Sequence, residues 1–372
     1  NLITLYHLIF IVKIKNNMSV CIIGNGLSAL ILAKALVNKN IYVDVLFKKK
    51  DLNLNRSRTI GISRSNIEFI NKDITNIKKL LWKLKKIELF TDNLKNQKLI
   101  NFENNNQQLF SIVKNYELYE VLKKSLTKNK YFKKKLSCNK NLSFVKNYEL
   151  VINCDYFHPI TKKYFDKKIV KKYNSFAHTT IIKHEKILND TATQIFTKKG
   201  PLAFLPISSY ETSIVYSINK KQENIEELIK FYNFKYKINK IEKIHTFDLK
   251  FLSLRSYYHN NILAFGDLLH SIHPLAGQGF NMTIRDIKIL IEIINNKLDL
   301  GLPLDNSVNH EFEDSLKHKN FIFSSGVDFI YELFNVERKM NNNVLSKSIQ
   351  FMGKNSSINK AFAKIADEGN LF

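Results

Sequence analysis

The stretch Gly266 to Asp286, GDLLHSIHPLAGQGFNMTIRD, constrains this chain more than any other. An acidic residue closes an apolar run, and a proline, two closely spaced glycines and a helix start follow it. Glycines remove the Cβ that would keep a planar, phosphate-bearing ligand away from the backbone. The helix start offers unpaired N–H groups and a positive dipole end. Val20 to Leu46, VCIIGNGLSALILAKALVNKNIYVDVL, reads as an apolar strand, a glycine turn, an amphipathic helix and a second apolar strand. There Gly24 permits the tight turn, Gly26 lets backbone approach a pyrophosphate, and Ala29 is small enough for close helix–sheet packing. An ordinary βα turn has the same local pattern, and one GxGxxG-like turn is a weak signal. Two such turns about 240 residues apart, each behind an apolar strand, are a much stronger pair.

The rest of the chain gives the organisation. Val20–Ile23 is short and wholly apolar, as a strand buried on both faces of a parallel sheet should be. Helical spacing from Ser28 to Asn38 puts Leu30, Ala33, Leu36 and Val37 on one face, and Ile41–Phe47 is the next strand, completing a βαβ unit. Residues 75–90, rich in Lys and Leu around Trp82, predict an amphipathic helix, and Asn115–Leu126 a second one. Glu149–Asn153 and Asn261–Phe265 read as buried strands. From Ala177 to about Phe251 the pattern alternates, including Thr179–Ile182, Leu202–Pro206 and Thr212–Ser217, which implies a mixed sheet. From Thr283 the period is helical nearly to the end.

Together the two glycine segments resemble the FAD-dependent aromatic hydroxylases of the para-hydroxybenzoate hydroxylase type, and among them the ubiquinone-biosynthesis hydroxylases. The resemblance runs from about Met18 to the C-terminus. It includes Arg58-Thr-Ile-Gly-Ile-Ser63, similar to the family's R-x-x-A-L-S, and Gly200-Pro-Leu-Ala-Phe-Leu-Pro206, similar to GPLALLP. The implied fold class is α/β, with a discontinuous Rossmann-like FAD-binding domain of the glutathione-reductase type, a β-sheet substrate domain and C-terminal helices. The implied division is residues 18–75, 100–160 and 255–300 for FAD, 76–99 and 161–254 for substrate, and 301–372 for a helical region. Residues 1–17 are expected to be an extension outside the fold or a misassigned start; their apolar run of about thirteen residues is short for a bilayer span.

The resemblance also implies roles. Gly24, Gly26 and Ala29 would form the dinucleotide turn. Arg58, with Ser63, would lie near the FAD phosphates and flavin, its fork of donors suiting a phosphate. Asp155 and Gly266 would face the cofactor. Asp267 would bind the ribityl chain, and Pro274, Gly277, Gln278, Gly279, Phe280 and Asn281 would line the isoalloxazine. Phe204, Leu205 and Pro206 would wall the substrate pocket. No side-chain nucleophile is needed, because NAD(P)H reduces the flavin and a C4a-hydroperoxyflavin passes oxygen from O2 to a phenol ring. His270 and His273 share an HxxH spacing, but no third ligand is in register, and a metal is not expected; His273 is expected instead to order the loop.

Two departures stand out. The acidic residue that usually ends the second strand and binds the adenosine ribose is replaced by Phe47, followed by three lysines, with Asp51 four residues on as a substitute. Losing one charged hydrogen bond costs about 1.5–3 kcal/mol. At Asp155-Tyr156 the family has Asp-Gly, and a tyrosine in a turn that needs positive φ is strained.

At 372 residues the chain can bury a large core, and its composition, 44% hydrophobic and 12% aromatic, is globular. The net charge of +25 comes from lysines scattered along a chain rich in Lys, Asn and Ile, so compositional bias explains it better than a nucleic-acid site. Cys21, Cys138 and Cys154 show no paired spacing, and Cys21 and Cys154, in apolar strand-like runs, read as buried small hydrophobes in a reducing compartment. No uncharged run of eighteen residues occurs, so no transmembrane helix is expected. The resemblance implies a bacterial cytoplasmic enzyme, peripheral on the inner membrane, acting on a polyprenylated phenol or quinone precursor, in contact with a quinone-biosynthesis complex and not with nucleic acid. A non-catalytic FAD-binding subunit of such a complex, or an FAD-dependent isoprenoid reductase, stays open beside it. The C-terminal Phe321, Phe323, Phe329, Tyr331, Phe334, Phe351 and Phe362 read foremost as helix core, and otherwise as a groove, membrane-facing surface or partner interface.

Overall fold

The computed structural model describes residues 19–48, 56–94, 97–103, 108–136, 142–219, 223–340 and 343–369. The N-terminal extension, Asp51 and Cys138 lie outside them. In chain order the elements begin with β1 (Ser19–Ile23), α1 (Leu27–Val37), β2 (Tyr42–Phe47), β3 (Thr59–Ser63), α2 (Arg64–Phe69), β4 (Trp82–Leu84), β5 (Lys86–Thr91), β6 (Lys98–Glu103), β7 (Phe110–Lys114) and α3 (Asn115–Thr127). The middle holds β8 (Phe132–Leu136), β9 (Leu150–Asn153), α4 (Pro159–Tyr164), β10 (Lys168–His184), β11 (Thr191–Thr197), β12 (Gly200–Pro206) and β13 (Glu211–Ile218). After α5 (Ile225–Tyr232) come β14 (Ile238–Ile241), β15 (His245–Leu254), β16 (Tyr258–His259), β17 (Ile262–Ala264) and β18 (His270–Ser271). Four helices close the chain: α6 (Gln278–Asp299), α7 (Asn306–Met340), α8 (Val344–Gly353) and α9 (Ser356–Glu368).

Three sheets form. The first has the order β16-β17-β9-β1-β2-β8, parallel except for the edge strand β16. Its central strands are apolar at almost every position because helices cover both faces. The second sheet runs β18-β15-β10-β13-β12-β11-β5-β6, with β14 against β10; only β11–β5 is parallel. A small antiparallel sheet, β3-β7-β4, completes the set, and a Thr59–Ser213 hydroxyl pair at 2.8 Å ties it to the second.

The predicted βαβ unit, the helix at Asn115 and the strands at 150 and 262 are all present. The expected helix over 75–90 is not. That segment forms a 3-10 turn at 78–80 and then β4 and β5. A short Lys/Leu run fits either period, and here backbone pairing to β7, β6 and β11 decides. Trp82 is anchored by its indole N–H donating to the Asn189 carbonyl at 2.6 Å. Nor is α1 amphipathic: Ala29, Leu30, Ile31, Leu32, Ala33, Ala35, Leu36 and Val37 are all buried, because sheet, α3 and α6 enclose it.

The second sheet has a core on each face. On one, Ile182, Ile195, Leu202, Phe204 and Tyr216 pack beneath Ile225 and Ile229 of α5. On the other, Tyr173, Phe196 and Phe251 meet Phe323, Tyr331 and Phe334 of α7, with Phe196 stacked on Phe334 at 3.7 Å between centroids. The C-terminal aromatics thus divide. Phe323, Tyr331 and Phe334 are core, whereas Phe321, Phe329, Phe351 and Phe362 are exposed. Among the described residues no helix is long and apolar enough to cross a membrane.

Leu36 is fully buried in the core around α1. Leu36→Ala is expected to cost about 2–5 kcal/mol, read as a lower urea midpoint with an unchanged slope.

Candidate functional site

The carboxyl ends of the parallel strands meet along one edge of the first sheet, where ligands bind in open α/β sheets. The Cys154 amide donates to the Ile23 carbonyl, the Gly24 amide to the Leu46 carbonyl, and the Phe265 amide to the Asn153 carbonyl, each within 2.9 Å. Four strand ends are therefore laced side by side: 23–24, 46–48, 153–155 and 265–267.

Gly24 turns the chain at φ +116°, a conformation that L side chains rarely adopt. Gly26 is the N-cap of α1 with no side-chain cap among the described residues, and a Cβ placed on it would meet none of their atoms within 4 Å. Uncapped donors facing open space suit a pyrophosphate. Ala29 is fully buried, as its packing role requires. The second turn lands on the first. A Cβ on Gly266 would lie 3.1 Å from the Cβ of Ser28, so only glycine brings the turns this close without displacing the serine. Beside it the Asp267 carboxylate is exposed between buried Gly266 and Leu268. Burial pushes the Cys154 thiol up, and the Asp267 and Asp155 carboxylates push it further, which marks both acids as converging on this edge. Cys21 and Cys154 are both free cysteines.

The loop from His270 to Asn281 is fastened at three points. The His270 ring lies 2.6 Å from the buried Asp286 carboxylate, whose other oxygen accepts from Asn320 of α7 at 2.9 Å. The His273 ring stacks on Tyr331 at 4.0 Å and meets Tyr173 edge-on, matching the ordering role expected of it. Asn281, fully buried in the first turn of α6, donates to the carbonyls of Gly61 and Gly277 and accepts from the Ser63 amide and the Asn66 side chain, at 2.9–3.0 Å. Gly277 consequently sits against β3, where a Cβ on it would be 3.8 Å from the Gly61 Cα. Gln278 is buried with its amide donating to the Ala366 carbonyl and its oxygen without a partner among the described residues. Gly279 and Phe280 are half-buried in the same turn, and Pro274 precedes it. Uncapped donors at Gly26, the flanking acids and the orphaned Gln278 oxygen fit an FAD laid along this edge.

Other expectations are placed differently. Ser63 is fully buried and its hydroxyl donates to the Asp367 carbonyl, so it fastens α9 rather than facing a ligand. Arg58 stands exposed at the entry to β3. Phe204 and Leu205 point to opposite faces of the second sheet, as successive strand residues must. Phe204 lies beneath α5, and Leu205 faces the small sheet with Trp82, Phe110 and Ile112. They therefore cannot form one wall; Leu205 alone of the two faces the small sheet, and Pro206 is buried beside Thr212. Sequence reasoning places α9 within the helical C-terminal region but misses its part in the site, where the Asp367 carboxylate caps the start of α2 by accepting from the Ser65 amide at 2.9 Å.

Both departures have physical consequences. Phe47 closes β2 with Lys134 over its ring at 4.0 Å, and the next residue, Lys48, pairs with Asp155 at 3.0 Å. Tyr156 does not adopt positive φ, so the strain expected of a tyrosine there is absent. The turn is held instead by the Asp155 carboxylate, which accepts from the Phe157 amide at 2.8 Å. The hydrogen bond from Lys168 holds the Tyr156 phenol below its ordinary range; Lys250, 3.9 Å from the ring centre, adds to this, while burial opposes it.

This architecture is that of the flavoprotein monooxygenases. The p-nitrophenol 4-monooxygenase PnpA of Pseudomonas putida DLL-E4 superposes with a TM-score of 0.74 at 11% identity, covering 94% of this chain and 98% of that one. Klebsiella pneumoniae HpxO, solved with FAD and uric acid, superposes at 0.73 and 11%, covering 95% and 98%. Residues 147–356 match the squalene epoxidase family model, and the chain belongs to that family. Its sequence is similar to the 3-demethoxyubiquinol 3-hydroxylase of Escherichia coli K12, 29% identical over 158 residues, which is 39% of this chain and 40% of that protein. It is also similar to the mitochondrial ubiquinone biosynthesis monooxygenase COQ6 of Drosophila melanogaster, 25% identical over 189 residues, 39% and 40% of the two chains. These matches span about two fifths of the relatives' length. The resemblance read from the glycine motifs thus stands.

Two outcomes check this geometry. Asn281→Ala leaves several buried groups unpaired, each costing about 1–3 kcal/mol, so chemical denaturation should register a loss larger than one such group gives. In a difference titration against Tyr156→Phe, phenolate absorbance should rise below the ordinary tyrosine range, and Lys168→Met should move that rise to higher pH.

Proposed function

We propose that this chain is an FAD-dependent monooxygenase that hydroxylates the ring of a polyprenylated phenol in ubiquinone biosynthesis, with NAD(P)H as reductant and O2 as co-substrate. The observation that carries the reading is the meeting of the two glycine turns, Gly266 against Ser28, with Asp267 open beside them and the Gly277–Asn281 loop locked to β3. Bound FAD supplies the redox chemistry. The protein's share is position and charge. The α1 amides and Gly26 receive the pyrophosphate, assisted by Arg58. Asp267 would accept from the ribityl hydroxyls, and the positive end of α6 would favour negative charge on the ring system. The wall beneath the small sheet, with Leu205, holds the phenol and keeps water out, while Pro206 lies on the opposite face of β12.

The FAD-binding domain in this reading comprises residues 18–75, 100–160 and 255–300, the substrate domain 76–99 and 161–254, and the helical region 301–372. Ile322, Phe329, Val336 and Met340 lie exposed on one side of α7, apolar surface that supports peripheral contact with the inner membrane from the cytoplasmic side, where a prenylated substrate resides. A second reading, a non-catalytic flavin subunit of a quinone-biosynthesis complex, is favoured by Phe47 standing where an acid is usual.

Mass analysis of quinone intermediates separates the two. The chain is expressed in bacterial strains that each lack one ring hydroxylase. Restored ubiquinone in one strain is expected and names the carbon. Soluble yellow protein without rescue in any strain would favour the subunit.

A further inference from the structure

Among the described residues the adenosine end of the edge just described lacks its usual acid, Asp51 lying outside them, and a carboxylate from another strand is at hand. In Rossmann-like turns a carboxylate ending the second strand accepts from the ribose hydroxyls. Here β2 ends in Phe47, which pairs with Leu136 of edge strand β8 and carries Lys134 over its ring. Neither the Phe47 ring nor the Lys48 ammonium can accept a hydroxyl hydrogen bond. Lys48, however, stands at the tip of β2, Asp155 at the tip of β9, and β1 with its Gly24 turn lies between them. Their 3.0 Å ion pair therefore spans the turn, and a Cβ on Gly24 would lie 3.4 Å from the Asp155 amide nitrogen.

We propose that Asp155, drawn across the glycine turn by Lys48, is the carboxylate that receives the adenosine ribose hydroxyls, so that the acid of this site comes from the third strand of the unit rather than the second. This rests on the FAD reading above. The carboxylate has capacity to spare. One oxygen accepts from the Phe157 amide and the other meets Lys48, which leaves about two of its roughly four lone-pair sites for hydroxyls. Its side chain is 21% exposed and that of Lys48 is 37%, so a ligand can reach both. The backbone beneath is fixed: the Asp155 amide donates to the Asn153 side chain, and its carbonyl accepts from the His158 amide and the Thr161 hydroxyl. Such pre-organisation suits a binding group. A partly exposed ion pair stabilises a fold little, so variants of either residue should fold.

The test is a set of equilibrium titrations of the full-length apoprotein, following flavin fluorescence, with FAD and with an FAD analogue whose adenosine lacks the ribose 2′-hydroxyl. Removing the hydroxyl should weaken binding about 10-fold or more to the wild type. Asp155→Asn should weaken FAD by a similar factor and bind the two ligands alike. Lys48→Glu, which restores an acid at the usual strand but sets two carboxylates side by side, should also weaken FAD. The proposal is overturned if Asp155→Asn still distinguishes the two ligands as the wild type does, or if Lys48→Glu binds FAD more tightly. A folded wild type that binds neither ligand would instead remove the FAD reading on which the proposal stands.

Discussion

The carboxamide of Asn281 is the contact on which the rest of the site depends. It sits fully buried in the first turn of α6 and uses both its ends, donating to Gly61 and Gly277 and accepting from Ser63 and Asn66. One side chain thereby fixes a helix start, a left-handed glycine and a strand of another sheet. A satisfied buried network of this kind is rigid, and a partly satisfied one would cost more than an apolar contact. That rigidity gives the Gly-Gln-Gly turn a defined place beside β3. The His270–Asp286–Asn320 chain repeats the arrangement one layer deeper and draws α7 into it.

The glycine turns impose the second constraint. Gly24 and Gly266 hold conformations that L side chains rarely adopt, and Gly266 approaches Ser28 closely. With the strand ends laced together, uncapped amides and two carboxylates collect on one edge. Such a site holds a cofactor that brings its own chemistry.

Much of this was legible locally. The βαβ unit follows from its apolar runs and its glycine spacing, and the loop at 266–281 from its proline, glycines and helix start. What escaped depends on distant partners. The family resemblance makes Asn281 a lining residue, but its role as a lock rests on Gly61 and Ser63, more than two hundred residues away. Asp367 capping α2 has no local signature at all. The residues at 75–90 carry a helical pattern that sheet pairing overrides, and Phe204 and Leu205 fell on opposite faces because a strand alternates. The strain feared at Tyr156 is avoided by a turn built on Asp155, a rearrangement that sequence spacing alone does not reveal.

The most direct measurement supplies isotopically labelled O2 and NAD(P)H to the FAD-loaded protein in lipid, together with a polyprenylated phenol. Label in one new ring hydroxyl, dependent on both FAD and reductant, is the result this reading predicts. Oxidation of the reductant with no label in the ring would contradict it.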